Sequence, residues 1–183
     1  MAITASFRAG LLEAVPSLRA FAISLIGSAE RADDLVQETL MKAWAKSDSF
    51  QEGTNLQAWL FTILRNEYYS QMRKRGREIQ DSDGAYAERL AVQPSQHGHM
   101  DFSDFRAALD TLPDDQREAL ILVGASGFSY EEAAEICGCA VGTIKSRVSR
   151  ARARLAELLD LEEKADLGPD AVAERTKALL YKP

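Results

Sequence analysis

The sequence predicts an all-α protein of two small helical domains joined by a flexible linker. Three observations predict it. Apolar residues recur at spacings of three and four along nearly the whole chain, and no β-alternating segment is evident. Residues 81–100 break this pattern with Ser, Asp, Gly, Gln and Pro94. A length of 183 residues allows one domain or two small ones, and a hydrophobic content of 46% is enough for a core.

The first helix is carried by Phe7, Leu11, Leu12, Val15, Leu18, Phe21, Ala22, Leu25 and Ile26, about six turns with Pro16 as a candidate kink. Gly27-Ser28 ends it, and Ser28 caps a second helix from Ala29 to about Lys46. The apolar stripe of that helix is Leu35 or Val36, Leu40, Ala43 and Trp44. Its polar face holds Asp33, Asp34, Gln37 and Glu38. Acids this early also suit the positive end of the helix dipole.

Residues 47–55, SDSFQEGTN, form a polar loop with a single aromatic, Phe50. A third helix starts near Leu56 and runs to Arg75 or beyond. Trp59, Leu60, Ile63 and Leu64 are its core side, and Arg73-Lys74-Arg75-Gly76-Arg77 its basic end. Aromatics offer stacking surfaces to unpaired bases and basic residues hold the backbone. Trp44 and Trp59 are read as core packing. Phe50 is either such a surface or a residue folded back on the domain.

The linker could include a helical turn through Tyr86, Leu90 and Val92. It holds both histidines, His97 and His99, without a nearby cysteine, which argues against a metal site. Beyond it, Asp101 or Ser103 caps a block with Phe102, Phe105, Leu109 and Leu112 as its stripe. Pro113 restarts the helix at a first-turn position, and Ala119, Leu120, Leu122 and Val123 continue the pattern to Gly124 and Gly127.

Residues 129–158 are the most informative. Ser129-Tyr130-Glu131-Glu132 has the form of a capping box. A short helix with Ala133, Ala134 and Ile136 as its apolar face stops near Gly138. A second helix starts near Val141, with Ile144, Val148, Ala151 and Leu155 as one stripe. Its other faces carry Lys145, Arg147, Arg150, Arg152 and Arg154, with no acid between Val141 and Leu155. This is a helix-turn-helix pattern, whose second helix fits the major groove. The alternative, a solvated basic helix, explains the charges but not the capping box and the turn.

The net charge of −6 is unlike that of a nucleic-acid binder, yet its distribution is uneven. Residues 62–79 are locally +3 and residues 80–118 locally −6. An acidic segment between two basic ones weakens DNA binding wherever it covers them. Cys137 and Cys139 lie in the turn, too close for an easy disulfide, and Cys137 reads as a small core residue. No apolar run of 18 residues and no signal-peptide core is seen, so a soluble, cytoplasmic protein without membrane association is expected. No Ser-His-Asp set, glycine-rich phosphate loop or metal cluster is present. The expectation is no enzyme, no metal and no cofactor.

Residues 32–44, ADDLVQETLMKAW, resemble the polymerase-binding helix of extracytoplasmic-function sigma factors, in the sigma-70 family. Residues 58–75, AWLFTILRNEYYSQMRKR, are similar to the next helix of their first domain. LDTLPDDQREALIL and GFSYEEAAEICGCAVGTIKSRVSRARARL resemble their second. The resemblance covers about residues 7–158 and looks closest to the general-stress-response branch. It implies a region 2-like domain over residues 1–78, a linker over 79–100 and a region 4-like domain over 101–160; the tail over 161–183 lies beyond it, and there Gly168-Pro169-Asp170 leaves room for one short helix from Ala171 to Leu180.

The resemblance implies a dissociable, monomeric specificity subunit of bacterial RNA polymerase that binds promoter DNA. Asp33, Asp34, Gln37 and Glu38 would then face the core polymerase. Phe50, Gln51, Thr54 and Asn55 would take a flipped base of the −10 element, and Arg65, Arg73, Lys74 and Arg75 would hold phosphates there. Thr143, Lys145, Ser146, Arg147, Ser149 and Arg150 would face the −35 element. A small helical anti-sigma factor is the implied regulator. Two departures stand out. Ala140 sits where a capping Ser or Thr is expected, and the tail is longer than the helix-turn-helix requires. The rival readings are a sigma mimic that titrates the anti-sigma factor and a dimeric helix-turn-helix repressor.

Overall fold

The computed structural model describes residues 5–81 and 102–159, and all described secondary structure is helical. The helices are α1 (Ala5–Ile26), α2 (Ala29–Ala45), α3 (Leu56–Asp81), α4 (Phe102–Asp110), α5 (Asp114–Gly124), α6 (Tyr130–Cys137) and α7 (Val141–Leu158). A short 3₁₀ turn at Ser47–Ser49, unforeseen in the sequence, follows α2. Residues 82–101, which hold most of the expected linker with its histidines and also the candidate cap Asp101, lie outside the described residues, as does the tail from 160.

Helices α1 to α3 form the first unit. Leu18, Phe21, Leu35, Leu60, Phe61 and Leu64 are fully or almost fully buried at its centre, and the rings of Phe21 and Phe61 stack at 4.9 Å. A single α1 runs through Pro16. It is long and apolar enough to cross a bilayer, but half of that window is buried against the rest of the protein. Gly10 faces the start of α3, where an added Cβ would stand 2.6 Å from Leu56 Cδ2, so the bare backbone permits the approach. Ser28 caps α2 through the amide of Arg31, a long contact at 3.5 Å.

Two sequence assignments in this unit change. Leu12 lies on the apolar spacing yet is 66% exposed, because α1 turns its stripe toward α2 and α3 with Leu11 and Ala14. Trp44, read as core, is 47% exposed. Ala43 takes the inward position beside it, and one residue along a helix turns a side chain by about 100°.

Helices α4 to α7 form the second unit around Leu112, Leu120, Ile121, Leu122, Ile144 and Leu155, each at most 1% exposed. Helix α4 begins at Phe102, so Ser103 lies inside it rather than before it. Pro113 is the N-cap of α5, one position earlier than expected, and its carbonyl accepts from the amides of Gln116 and Arg117. The capping box at α6 is complete. Ser129 Oγ accepts from the Glu132 amide at 3.1 Å, and the Glu132 carboxylate accepts from the Ser129 amide at 2.9 Å. Gly138 closes α6 at φ 63°, a left-handed conformation that suits glycine.

The two units pack on each other, α1 against α5 and α3 against α6. The ring of Phe128, just before α6, meets that of Phe61 of α3 edge to face, with 4.9 Å between ring centres. Arg65 of α3 pairs with Glu118 of α5 across the same seam.

Candidate polymerase and DNA interfaces

The basic helix α7 shows its charges to solvent because its apolar stripe is used up on α5. Ile144, Val148, Ala151 and Leu155 are buried, whereas Lys145, Ser149 and Arg150 are exposed. Thr143, Ser146 and Arg147 are half-buried. The start of α7 carries no side-chain cap, and the Ala140 carbonyl accepts from the Thr143 amide at 2.9 Å. Four amides at a helix start normally lack intrahelical partners, so this end can receive an acceptor from outside.

Arg147 differs from its neighbours. Its Nε lies 3.0 Å from Asp115 Oδ2 of α5, and its other end approaches Cys139 Sγ at 3.9 Å. It braces α7 to α5. Lys145 Nζ stands 5.7 Å from the centre of the Tyr130 ring. Cys137 is buried, and burial pushes its thiol up to about 12, so it is a packing residue rather than a reactive one.

On α2, Asp33, Asp34 and Gln37 are exposed and Glu38 is partly so. Asp33 accepts from Arg19 Nε at 2.6 Å, and Glu38 lies 3.6 Å from Lys42. Lys42 also pairs with Glu67 of α3 and joins the two helices; that contact holds Lys42 above its ordinary range. Met41 and Trp44, 55% and 47% exposed, lie one and two turns beyond Gln37. The result is a surface with acidic and amide groups at one end and large apolar groups at the other. The sequence reading missed Met41 and gave Trp44 to the core. The missed signal was the i, i+4 and i, i+7 spacing of Met41 and Trp44 from Gln37.

In the loop before α3, the Phe50 ring packs on Phe7 and Trp59 at 5.6 and 5.3 Å between centres. Of the two readings of Phe50, the structure shows the residue folded back on the domain. This aromatic group anchors the loop and leaves Gln51, Thr54 and Asn55 at its exposed rim. Asn55 starts α3 by accepting from the Ala58 amide at 3.1 Å, and its Nδ2 donates to Glu132 of α6 at 2.7 Å. Further along α3, Arg73, Lys74 and Arg75 are exposed. Arg65 is apart from them: its Nε donates to Glu118 Oε1 at 2.7 Å, and its guanidinium lies 4.7 Å from the Tyr69 ring centre.

No group of three or more His, Cys, Asp or Glu side chains suited to a metal occurs among the described residues. Three exposed features stand out among the described residues: a polar and apolar face on α2, an amide-rimmed loop with a basic helix end, and a basic helix in a helix-turn-helix.

Comparison with known proteins gives these surfaces a context. Residues 11–78 match the model for Sigma-70 region 2, and residues 102–155 that for Sigma-70, region 4. The ECF RNA polymerase sigma factor EcfG of Rhodopseudomonas palustris is 67% identical over 170 residues, which are 93% of this chain and 94% of that protein. The Bartonella quintana sigma factor RpoE, solved with the anti-sigma factor NepR, is 66% identical with a TM-score of 0.77. That match covers 87% of this chain and 100% of the other. The anti-anti-sigma factor PhyR of Bartonella quintana, solved with NepR, shares the fold at a TM-score of 0.54 but only 16% identity, over 94% of this chain and 61% of that one. Matches to both conserved regions, in order, and two-thirds identity along nearly the whole chain make this protein a member of the extracytoplasmic-function sigma factors of the sigma-70 family.

Proposed function

We propose that the protein directs core RNA polymerase to promoters of a general stress response, contributing binding energy while the polymerase performs the chemistry. The observation that carries this reading is the presence of three separate surfaces on one chain, each suited to a different ligand. The α2 face, with Asp34, Gln37, Glu38, Met41 and Trp44, suits a protein partner with basic and apolar groups. A half-exposed tryptophan is the kind of residue that anchors such interfaces. Asp33 shares this face while paired to Arg19.

The loop rim of Gln51, Thr54 and Asn55 supplies amide and hydroxyl groups for an extruded base, anchored by Phe50 beneath it. Arg65, Arg73, Lys74 and Arg75 hold the adjacent strand. Lys145, Ser149 and Arg150, with Thr143, Ser146 and Arg147 beside them, meet the −35 major groove. In this reading the chain has no catalytic residue and needs no cofactor.

Regulation by a small helical anti-sigma factor is part of the same reading, supported by the complex of the 66%-identical Bartonella quintana relative with NepR. A sigma mimic is the second reading that the shared fold raises. The contrast between 66% identity to a sigma factor and 16% to the anti-anti-sigma factor favours the first.

Run-off transcription with purified core polymerase over a panel of stress promoters tests the proposal. Initiation on a subset, dependent on the protein, is expected. Binding to an anti-sigma factor with no initiation on any template would support the mimic instead.

A further inference from the structure

Leu12, Met41 and Trp44 are large apolar side chains that the packed helices leave exposed. They belong to one face. Helices α1 and α2 run antiparallel through the short Gly27-Ser28 turn, and Arg19 of α1 pairs with Asp33 of α2. Seven residues from each of these, about two helical turns, lie Leu12 and the partly buried Leu40. Met41 and Trp44 stand on the outward side of α2 next to Leu40. The face is thus apolar at Leu12, Met41 and Trp44 and acidic further along α2, at Asp34 and Glu38. An apolar patch of this kind on a protein surface marks an interaction site.

One stretch of this chain has the complementary composition. After Gly168-Pro169-Asp170, residues 171–183 place Val172, Thr176, Leu179 and Leu180 at helical spacing and carry Arg175, Lys177 and Lys182 against a single acid, Glu174. A basic, apolar segment fits an acidic, apolar face. It does not fit the other exposed features: α7 shows Lys145 and Arg150, and Met72, a fourth exposed large apolar residue, adjoins Arg73-Lys74-Arg75. Residues 160–170, between α7 and this segment, hold Asp160, Glu162, Glu163, Asp166 and Asp170 against Lys164, so they suit the neighbourhood of α7 instead. These eleven residues extend to at most about 40 Å. A compact body of this size has a radius of gyration of about 14 Å, so the reach is sufficient.

We propose that in the free chain residues 171–183 dock on the α1–α2 face around Leu12, Met41 and Trp44 and compete with the polymerase for it. The competition rests on the reading of the α2 face as the polymerase surface. A tethered segment has an effective concentration of about millimolar order, so a weak contact is enough to hold it there until a larger partner displaces it.

The test uses the full chain as wild type, as the double variant Leu179→Ser/Leu180→Ser, as Leu12→Ser and as all three changes together. Serine leaves every charge in place. Trp44 is one of two tryptophans; the other, Trp59, is packed against Phe7 and Phe50 and gives a constant background. Tryptophan emission and its quenching by acrylamide, a neutral quencher, read the cover over Trp44. Binding to purified core polymerase is measured for wild type and the tail variant.

The expected result is red-shifted emission and stronger quenching for the tail variant, and a shift in the same direction for Leu12→Ser. The combined protein should show no further change, because both substitutions break one contact. Core affinity should rise about tenfold in the tail variant, the factor lost when roughly one molecule in ten has its face open. Wild-type emission and quenching in the tail variant would overturn the docking, as would effects that simply add. An emission change that follows protein concentration would give the face to a second copy and overturn it too. Exposure of Trp44 without a gain in core affinity would overturn the competition while leaving the polymerase reading intact. Failure of both proteins to bind core polymerase would remove that reading and the competition with it, and the emission of Trp44 would still decide the docking.

Discussion

Arg65 of α3 and Glu118 of α5 are ion-paired at 2.7 Å across the seam between the two helical units, with the glutamate fully buried. Burial pushes the Glu118 carboxyl up, and Arg65 and Tyr69 beside it only partly offset this. Glu118→Ala removes one partner and leaves the half-buried guanidinium without its acceptor. Urea denaturation is expected to show a loss of roughly 3 kcal/mol, the lower end of the range for breaking a buried pair. Glu118→Gln, which preserves shape and an acceptor, should lose clearly less.

The capping box predicts a smaller effect. Ser129→Ala removes the acceptor for the Glu132 amide and should cost about 1 kcal/mol in the same assay. The conformation of Gly138 in the turn is untouched by that change.

Glu132 gives a pH dependence. The Ser129 amide, then Asn55 and the Ser129 hydroxyl, hold its carboxyl below the ordinary glutamate range. A carboxyl lowered by folding stabilises the fold above its unfolded value, and that contribution is lost as pH falls through the folded value. The stability difference between wild type and Glu132→Ala should therefore be largest near neutrality. It should narrow in acid, at pH values below about 4. Denaturation midpoints measured across that range check it, and a difference that grows toward acid would reverse the assigned sign.

Arg150 and Arg147 should separate. Arg150 is exposed, so Arg150→Ala is expected to reduce −35 binding and flatten its salt dependence by about one phosphate contact, without loss of stability. Arg147→Ala should reduce −35 binding and also lower thermal stability, because it removes the brace to Asp115. Equal melting temperatures for the two variants would contradict the brace.

Much of this architecture was legible in the sequence because it rests on local rules. Helix spacing, the Ser129–Glu132 box and Gly138 each depend on neighbours within a few residues, and each appears where the pattern put it. Trp44 and Leu12 were misjudged because each continues an apolar spacing, while the packing partner decides which edge of a wide stripe is covered. The pairings of Arg65 with Glu118 and Asn55 with Glu132 are tertiary. The segregation of charge into basic and acidic stretches left room for one to cover the other, but no local rule selects these partners.

The most direct measurement of the central claim is run-off transcription paired with core-polymerase binding for three proteins: wild type, Asp34→Ala and Arg150→Ala. The sigma reading predicts promoter-specific transcripts with wild type. It predicts weakened core binding with Asp34→Ala, and intact core binding with reduced −35-dependent transcription for Arg150→Ala. Absence of transcripts with wild type, or loss of core binding by Arg150→Ala with an intact fold, would contradict the assignment of the surfaces.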